Sequence, residues 1–319
     1  EISACLVGSE MCIRDSLVYA FLQVWPLINT FLLSFHGNGG DNQPFVGLEN
    51  YQTLLFGGDD RRTRAFNVQF FQAFKNTIIL WIGNFIPQIF LSLLLAVWFT
   101  DSKLHIPGKG AFKVIMYLPN IITAVSVAAL FMRFMSNTDT CAANTILGMM
   151  GKDTIKFEND PTWSRGIVMF IQTWLWFGNT MIMMMSGIMG INPSLFEAAN
   201  IDGASASQQF FLITIPLLKP IMLYTMVTSM IGGLQMFDMP YLYNMGTSQN
   251  PYTETIAVFI YNHFHSLKPN YGYSAAASVL LFIVTALLGS ICFAVNRDKD
   301  NKVKERKGSK ALKSKLGGL

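Results

Sequence analysis

Charge is the first scarcity in this chain. Only 13% of its 319 residues are Asp, Glu, Lys or Arg, while 51% are hydrophobic; a soluble domain carries about a quarter charged residues. A self-sufficient soluble fold is therefore excluded. No G-x-x-x-x-G-K-[ST] phosphate loop occurs: Gly108-Lys109-Gly110 and Gly151-Lys152-Asp153 both depart from the pattern. The chain thus lacks that means of using ATP itself. The four cysteines, Cys5, Cys12, Cys141 and Cys292, have no metal-ligand spacing, and they support neither a metal site nor a disulfide framework. No Ser/His/Asp set or carboxylate pair falls within the apolar segments, which argues against a membrane enzyme. Asp238 is the one acidic candidate at membrane depth. An ion-coupled carrier usually keeps several such groups, so Asp238 reads better as a structural or pathway residue. No repeat of solenoid length is visible.

What is abundant is apolar sequence in long blocks. A bilayer-crossing helix needs roughly 20 apolar residues, and six blocks qualify: 17–35, 76–99, 112–134, 164–190, 220–241 and 272–296. The expected fold is an all-α membrane protein with six transmembrane helices. Orientation follows from Lys and Arg. With both ends in the cytoplasm, the inner side holds Arg14, Lys103, Lys109, Lys113, Lys219 and nine basic residues between 297 and 319. The outer side holds only Arg61, Arg62, Arg64, Lys152, Lys156 and Lys268. This asymmetry places both termini, and the loop between the fourth and fifth blocks, inside.

The two ends differ from the middle. Residues 1–16 lack both an initiator Met and a signal-peptide pattern. Glu10-Met11-Cys12-Ile13-Arg14-Asp15 resembles a translated transposon end of a sequencing library, so 1–16 is expected to be a non-native leader; a short cytoplasmic leader is the alternative. The domain then runs over 17–296, followed by a basic cytoplasmic tail, 297–319. Beside a membrane span, such a tail is a topology anchor or an anionic-lipid contact, in preference to a nucleic-acid arm.

The most informative stretch is the inner loop 191–219. Asn192 can cap a helix that Pro193 opens. Glu197 is expected early in that helix, facing the positive end of its dipole. Ala198 and Ala199 are small helix formers that let another surface approach. Asp202 precedes Gly203, which can take positive φ and end the helix. Phe210, Phe211, Ile213 and Ile215 supply apolar mass, and Pro216 and Pro220 mark the approach to the next span. An ordinary capped loop helix would share some of these features, but not the whole run over this distance and in this place.

The run Glu197-Ala198-Ala199, Asp202-Gly203-Ala204 and then Ile215-Pro216 resembles the EAA loop of ABC importer permeases. Phe45-Val46-Gly47-Leu48-Glu49-Asn50-Tyr51 is similar to the signature before the second span in carbohydrate-importer permeases, and Asn76-Thr77 fits the same group. The likeness extends over most of 17–296. Ile215-Pro216 replaces the commoner Leu-Pro, and 244–247 lacks the Gly-Gly-Pro run often found there. The resemblance implies a type I importer permease fold with a cytoplasmic coupling helix. Glu197, Ala198, Ala199, Asp202, Gly203 and Pro216 would meet a separate ATPase. Implied partners are a second homologous permease, two ATP-binding subunits that hold ATP and Mg, and an extracytoplasmic sugar-binding protein. The chain would sit in the bacterial inner membrane and carry no cofactor.

Several spans also bear polar stripes at helical spacing. Thr77, Trp81, Asn84, Gln88 and Ser92 share a face of the second, and Gln172, Trp176 and Asn179 a face of the fourth. The fifth carries Thr225, Thr228, Gly232 and Gln235, with Ser229 beside them; the third offers Asn120 and Thr123. Two readings stand. Such residues can stitch membrane helices together, which suits the second span best. They can also line a path for sugar, with amides on hydroxyls and Trp on pyranose faces. The candidate pathway residues are Asn120, Thr123, Gln172, Trp176, Asn179, Ser229 and Gln235. Neutral polar groups suit a neutral sugar; the alternatives are a polyol or glycerol phosphate importer, and an ion-coupled secondary transporter.

Overall fold

A computed structural model of the protein describes residues 16–37, 44–101, 104, 107–243 and 250–296. The expected leader (Ser16 apart), the basic tail, Lys103 and the 244–247 departure lie outside the described residues. Those described are almost wholly helical, with one isolated bridge between His36 and Phe45. In order, the helices are α1 (Ser16–Leu33), α2 (Glu49–Phe56), α3 (Arg61–Thr100), α4 (Lys109–Tyr117), α5 (Ala124–Phe134) and α6 (Ala142–Met149). There follow α7 (Pro161–Met189), α8 (Pro193–Ile201), α9 (Ile215–Leu234), α10 (Asp238–Tyr243), α11 (Ile256–Phe264) and α12 (Tyr271–Asn296).

Among the described residues, five helices are long and apolar enough to cross a membrane, and one bent pair, counted as a single span, brings the number to six. That pair is the third span, expected over 112–134, and it is bent. The chain turns by 88° between the stretch ending at Ile121 and α5. Pro119 lacks an N–H and sits in a 3-10 turn, Leu118–Ile121, and Ile122 and Thr123 are extended. The Thr123 hydroxyl then accepts from the Ser126 N–H and restarts the helix. Two other spans depart in their limits. α3 begins fifteen residues before the expected 76 and, at 40 residues, is about 60 Å long, twice a hydrocarbon core. The fifth begins ahead of Pro220: a capped turn (Ala206–Gln209) passes through a π turn (Phe210–Thr214) into α9. Pro216 follows just after the π turn, where the ordinary helical hydrogen-bond ladder is already interrupted.

The largest interface joins α3 to α7. Its half nearer the C-terminal end of α7 buries Leu95, Ala96 and Phe99 against Phe177, Met181, Met184 and Met185. Hydrogen bonds cross the same seam. Gln88 Nε2 donates to Thr180 Oγ1 at 2.8 Å, Ser92 Oγ to the Phe177 carbonyl at 2.7 Å, and Thr173 Oγ1 to the Asn84 carbonyl at 3.2 Å. The polar face of the second span is therefore mostly stitching.

The signature at Phe45–Tyr51 has a local physical account. Asn50 Nδ2 donates to the carbonyls of both Ser34 and His36 at 2.8 Å, and Tyr51 OH donates to Ser34 Oγ at 2.7 Å. α2 thereby caps the end of α1. Gly272, in the first turn of α12, rests on the same knot: a Cβ there would lie 2.2 Å from the His36 carbonyl oxygen. Backbone cannot yield as a flexible side chain can, so Gly272→Ala is expected to cost about 1–3 kcal/mol. Thermal unfolding in detergent checks this, with a lower midpoint expected and an unchanged one contradicting the contact.

Candidate functional site

Three regions concentrate the chemistry along α7, one beyond each end and one against its middle. At its C-terminal end, Asn192 Oδ1 accepts from the Ser194 N–H at 3.1 Å and opens α8 with Pro193 in the first turn. Gly203 has φ +75° and closes it. The Gly203 N–H donates to the Asn200 carbonyl and the Ala204 N–H to the Ala199 carbonyl, the paired bonds of a left-handed C-terminal cap. Gln209 Nε2 then reaches back to Asn200 Oδ1 at 2.9 Å and to the Ala204 carbonyl at 3.1 Å. Ser205 and Gln208 form a reciprocal capping box on the next turn. α8 is thus fixed at both ends, yet it buries no residue: Glu197, Ala198 and Asp202 are exposed, Ala199 is half-buried, and Leu195 and Ile201 are open to solvent. Glu197 is the fifth residue of the helix, beyond the first turn. Its expected pairing with the dipole is corrected accordingly, because that effect fades within one turn.

Above this loop, a cavity of about 640 Å³ opens between α3, α7, α9 and the 118–124 break. Asn120, Gln172, Trp176, Asn179, Ser229 and Gln235 all line it, together with Asn84, Gln88 and Asp238. Thr123 does not; its hydroxyl is engaged with Ser126 in starting α5. The lining residues divide by how they are bonded. Gln88 is tied to Thr180, and Asn120 Nδ2 to the Leu175 carbonyl at 3.2 Å. The side-chain polar groups of Gln172, Asn179, Ser229 and Gln235 face the cavity with no hydrogen bond among the described residues. Trp176 leaves 49% of its surface open. Among the described residues, Asp238 is the only acidic or basic side chain on the wall. Unpaired amides beside an open aromatic face can grip a neutral, hydroxyl-rich molecule.

At the end of the molecule remote from α8, the segment 250–255 is clamped onto α3 and α7. Asn76 Nδ2 donates to the Pro251 and Glu254 carbonyls at 2.7 and 3.0 Å, while its Oδ1 accepts from Arg165 Nη2 at 2.9 Å. Arg165 Nε donates to the Tyr252 carbonyl, and the Ile256 N–H to Thr77 Oγ1. Asn76 and Thr77 were visible in the sequence as motif residues, but no local pattern paired them with Arg165 or Tyr252, which lie far away in the chain. The Glu254 carboxylate is buried here and accepts from Gln69 and Asn262. Burial pushes its pKa up, and the two hydrogen bonds only partly offset this. His263 Nε2 lies 3.3 Å from Gln69 Oε1, with its ring against Phe66 and Phe259. Burial, with the Arg62 charge added, pulls its pKa down to about 4.

The family described as binding-protein-dependent transport system inner membrane component matches residues 65–298. The lactose transport system permease protein of Rhizobium radiobacter is 31% identical over 288 residues, covering 89% of this chain and 91% of the relative. The arabinooligosaccharides transport system permease protein of Bacillus subtilis is 28% identical over 268 residues, covering 84% and 81%. Among solved structures, a chain of a bacterial ABC transporter involved in the import of the acidic polysaccharide alginate aligns with TM-score 0.76 at 25% identity. That alignment covers 93% of this chain and 96% of the other.

The His263 environment gives a pH prediction. A histidine normally titrates near 6.5, so between pH 6.5 and about 4 the unfolded chain takes up a proton that the fold resists. His263 therefore removes stability as pH falls through that window. Glu254 acts in the opposite sense, because its raised pKa favours proton uptake in the fold. His263→Phe should lose less thermal stability than the parent between pH 7 and pH 5. An equal loss in both proteins would remove His263 from this account.

Proposed function

Since the chain belongs to the family of binding-protein-dependent transport system inner membrane components, we propose that it forms half the translocation pore of an ATP-driven importer of neutral sugars or oligosaccharides. The observation that carries the sugar reading is the cavity wall, where unpaired neutral amides stand beside the open face of Trp176. The names of relatives that carry lactose and arabinooligosaccharides support it. Among the described residues the wall has no Lys or Arg, and its single acidic group is the carboxylate of Asp238. A phosphate ester or a uronic acid would meet repulsion there and find no cation to pair with. In this respect the cavity is unsuited to an acidic cargo such as alginate, despite the shared fold.

The chain is read as a transport subunit that leaves its cargo chemically unchanged. Its partners are a second homologous permease, two ATP-binding subunits that hold ATP and Mg, and an extracytoplasmic binding protein that delivers the sugar. It lies in the bacterial inner membrane with both termini in the cytoplasm and has no role with nucleic acid. α8 is the coupling element, since it is rigidly capped at both ends and bare on its surface. Small side chains at Ala198 and Ala199 allow a groove of the ATPase to close on it, with Glu197 and Asp202 supplying polar contacts at its rim. Gly203 and Pro216 set the exit toward α9. Closure of the ATPases on ATP shifts α8 and opens the cavity outward; hydrolysis resets it inward. The cavity residues Asn120, Gln172, Trp176, Asn179, Ser229 and Gln235 then hold the sugar between the two openings, and Thr123 acts at one remove by fixing the break before α5.

Two experiments test this reading. Co-expressed with its gene neighbours, the tagged chain should co-purify with an ATPase and a second permease. Gly203→Val, which strains the left-handed turn by about 1 kcal/mol or more, together with Glu197→Ala, should lose the ATPase while keeping the second permease. Retention of the ATPase by the double variant would contradict the coupling role. In proteoliposomes, Gln172→Leu and Trp176→Leu together should lower sugar uptake at least tenfold while the complex stays assembled. Unaltered uptake would contradict the cavity as the sugar path.

A further inference from the structure

We propose that a ladder of aromatic rings leading away from the cavity is a second carbohydrate subsite, on which the sugar rings of a neutral oligosaccharide stack before they enter the pore. The proposal rests on the sugar reading above and extends it to a surface outside the cavity. The ladder starts at Phe237, which lines the cavity wall. Its ring stacks on Tyr241 with centroids 4.9 Å apart and planes 16° from parallel. Both rings meet Tyr261, at 5.1 and 4.9 Å. Tyr261 stacks on His265 at 4.2 Å and 28°, and His265 touches Phe264 at 5.0 Å. Phe264 in turn meets Tyr271 at 5.0 Å. Six rings from three elements, α10, the α11 region and the start of α12, thus form one unbroken series of contacts.

Its openness sets this series apart from core packing. The neighbouring aromatic cluster of Phe66, Phe70 and Phe259 is closed, with no ring more than 7% exposed. In the ladder, Phe237, Tyr241, Tyr261 and Tyr271 are half-buried, His265 is exposed, and Phe264 keeps 41% of its surface open. Each ring spends part of its area on the next and leaves part free. Leaving aromatic surface open costs free energy in water, and a string of such surfaces continuous with a pocket matches the C–H faces of sugars. The polar atoms suit the same ligand. Three of the six residues carry a phenol hydroxyl, of which those of Tyr241 and Tyr261 are engaged with each other, and His265 uses Nδ1 on the Tyr261 carbonyl at 3.1 Å, which leaves Nε2 available. No Lys, Arg, Asp or Glu belongs to the series. The direction also fits, since α11 follows the fifth span and lies at the end opposite α8, where a sugar arriving from outside would enter. A multi-ring sugar can occupy the ladder and the cavity together, while a small one uses a single step. The ladder is therefore expected to favour longer chains.

The test uses the complete importer in proteoliposomes with its binding protein. Tritiated lactose, arabinotetraose and maltotetraose serve as probes, and uptake is measured per ATP hydrolysed. Tyr241→Leu and Tyr261→Leu keep apolar bulk and remove the flat face; Tyr241→Phe and Tyr261→Phe keep the face. The leucine variants should import the tetrasaccharide about tenfold less per ATP and lactose much less affected, with the phenylalanine variants near wild type. Leucine variants with wild-type tetrasaccharide import per ATP would overturn the proposal. So would a parallel fall in import and ATP hydrolysis that leaves their ratio unchanged, since that is the mark of a merely structural ring. If the wild-type importer takes up none of the probes while a phosphorylated or acidic sugar enters, the neutral-sugar reading itself fails, and the ladder fails with it.

Discussion

In an apolar medium, a polar group without a partner is costly, and the seam between α3 and α7 is built around that constraint. Lipid supplies no water to satisfy an amide or hydroxyl, and apolar side chains gain little from one another where the surroundings are equally apolar. Gln88, Ser92 and Thr173 answer this by bonding across the seam, and Asn76 and Arg165 do the same at the end remote from α8. The two longest helices are thereby held in one register. α3 is long enough to extend well beyond a bilayer, so it carries the clamp on segment 250–255 at one end and the methionine-rich packing against α7 at the other.

That register joins the two functional regions. α7 lines the cavity along its middle and runs within three residues into α8. The capped loop then returns directly into α9, which forms the opposite cavity wall. A displacement of α8 is therefore applied to both walls at once. The polar residues sort accordingly: those bonded across the seam hold the frame, and those with free amides face the space the frame encloses. The broken third span belongs to the same design. Bent by 88°, it brings Asn120 to the cavity edge where a straight helix would have continued past it.

Much of this was legible in the sequence because it depends on local pattern. Apolar block length marks the spans, and Asn192, Pro193 and Gly203 mark the ends of α8 through capping preferences that need no distant partner. Polar residues at helical spacing placed Gln172, Trp176 and Asn179 on one face, and that face meets a cavity. What could not be read depends on distant pairing. Nothing near Asn76 announces Arg165 or Pro251, and no period reveals that Tyr241 touches Tyr261. The bend at Ile122-Thr123 was hidden for another reason. Its apolar composition is that of a continuous span, and the effect of Pro119 on the helix is settled by how α4 and the turn rest on α7. The start of α8 at Pro193 was read correctly, and only the pairing of Glu197 with the dipole fails, because the fifth residue lies beyond the first turn.

The central claim is that nucleotide on a partner chain decides which side of the membrane the cavity faces. Ser229 is half-buried on the cavity wall and leaves a free hydroxyl there, so Ser229→Cys, with the four native cysteines replaced, reports on access. In the assembled importer, a membrane-impermeant maleimide should reach it from the α8 side without nucleotide. With ATP held unhydrolysed, it should reach it from the opposite side. Labelling from the same side in both conditions would contradict the account.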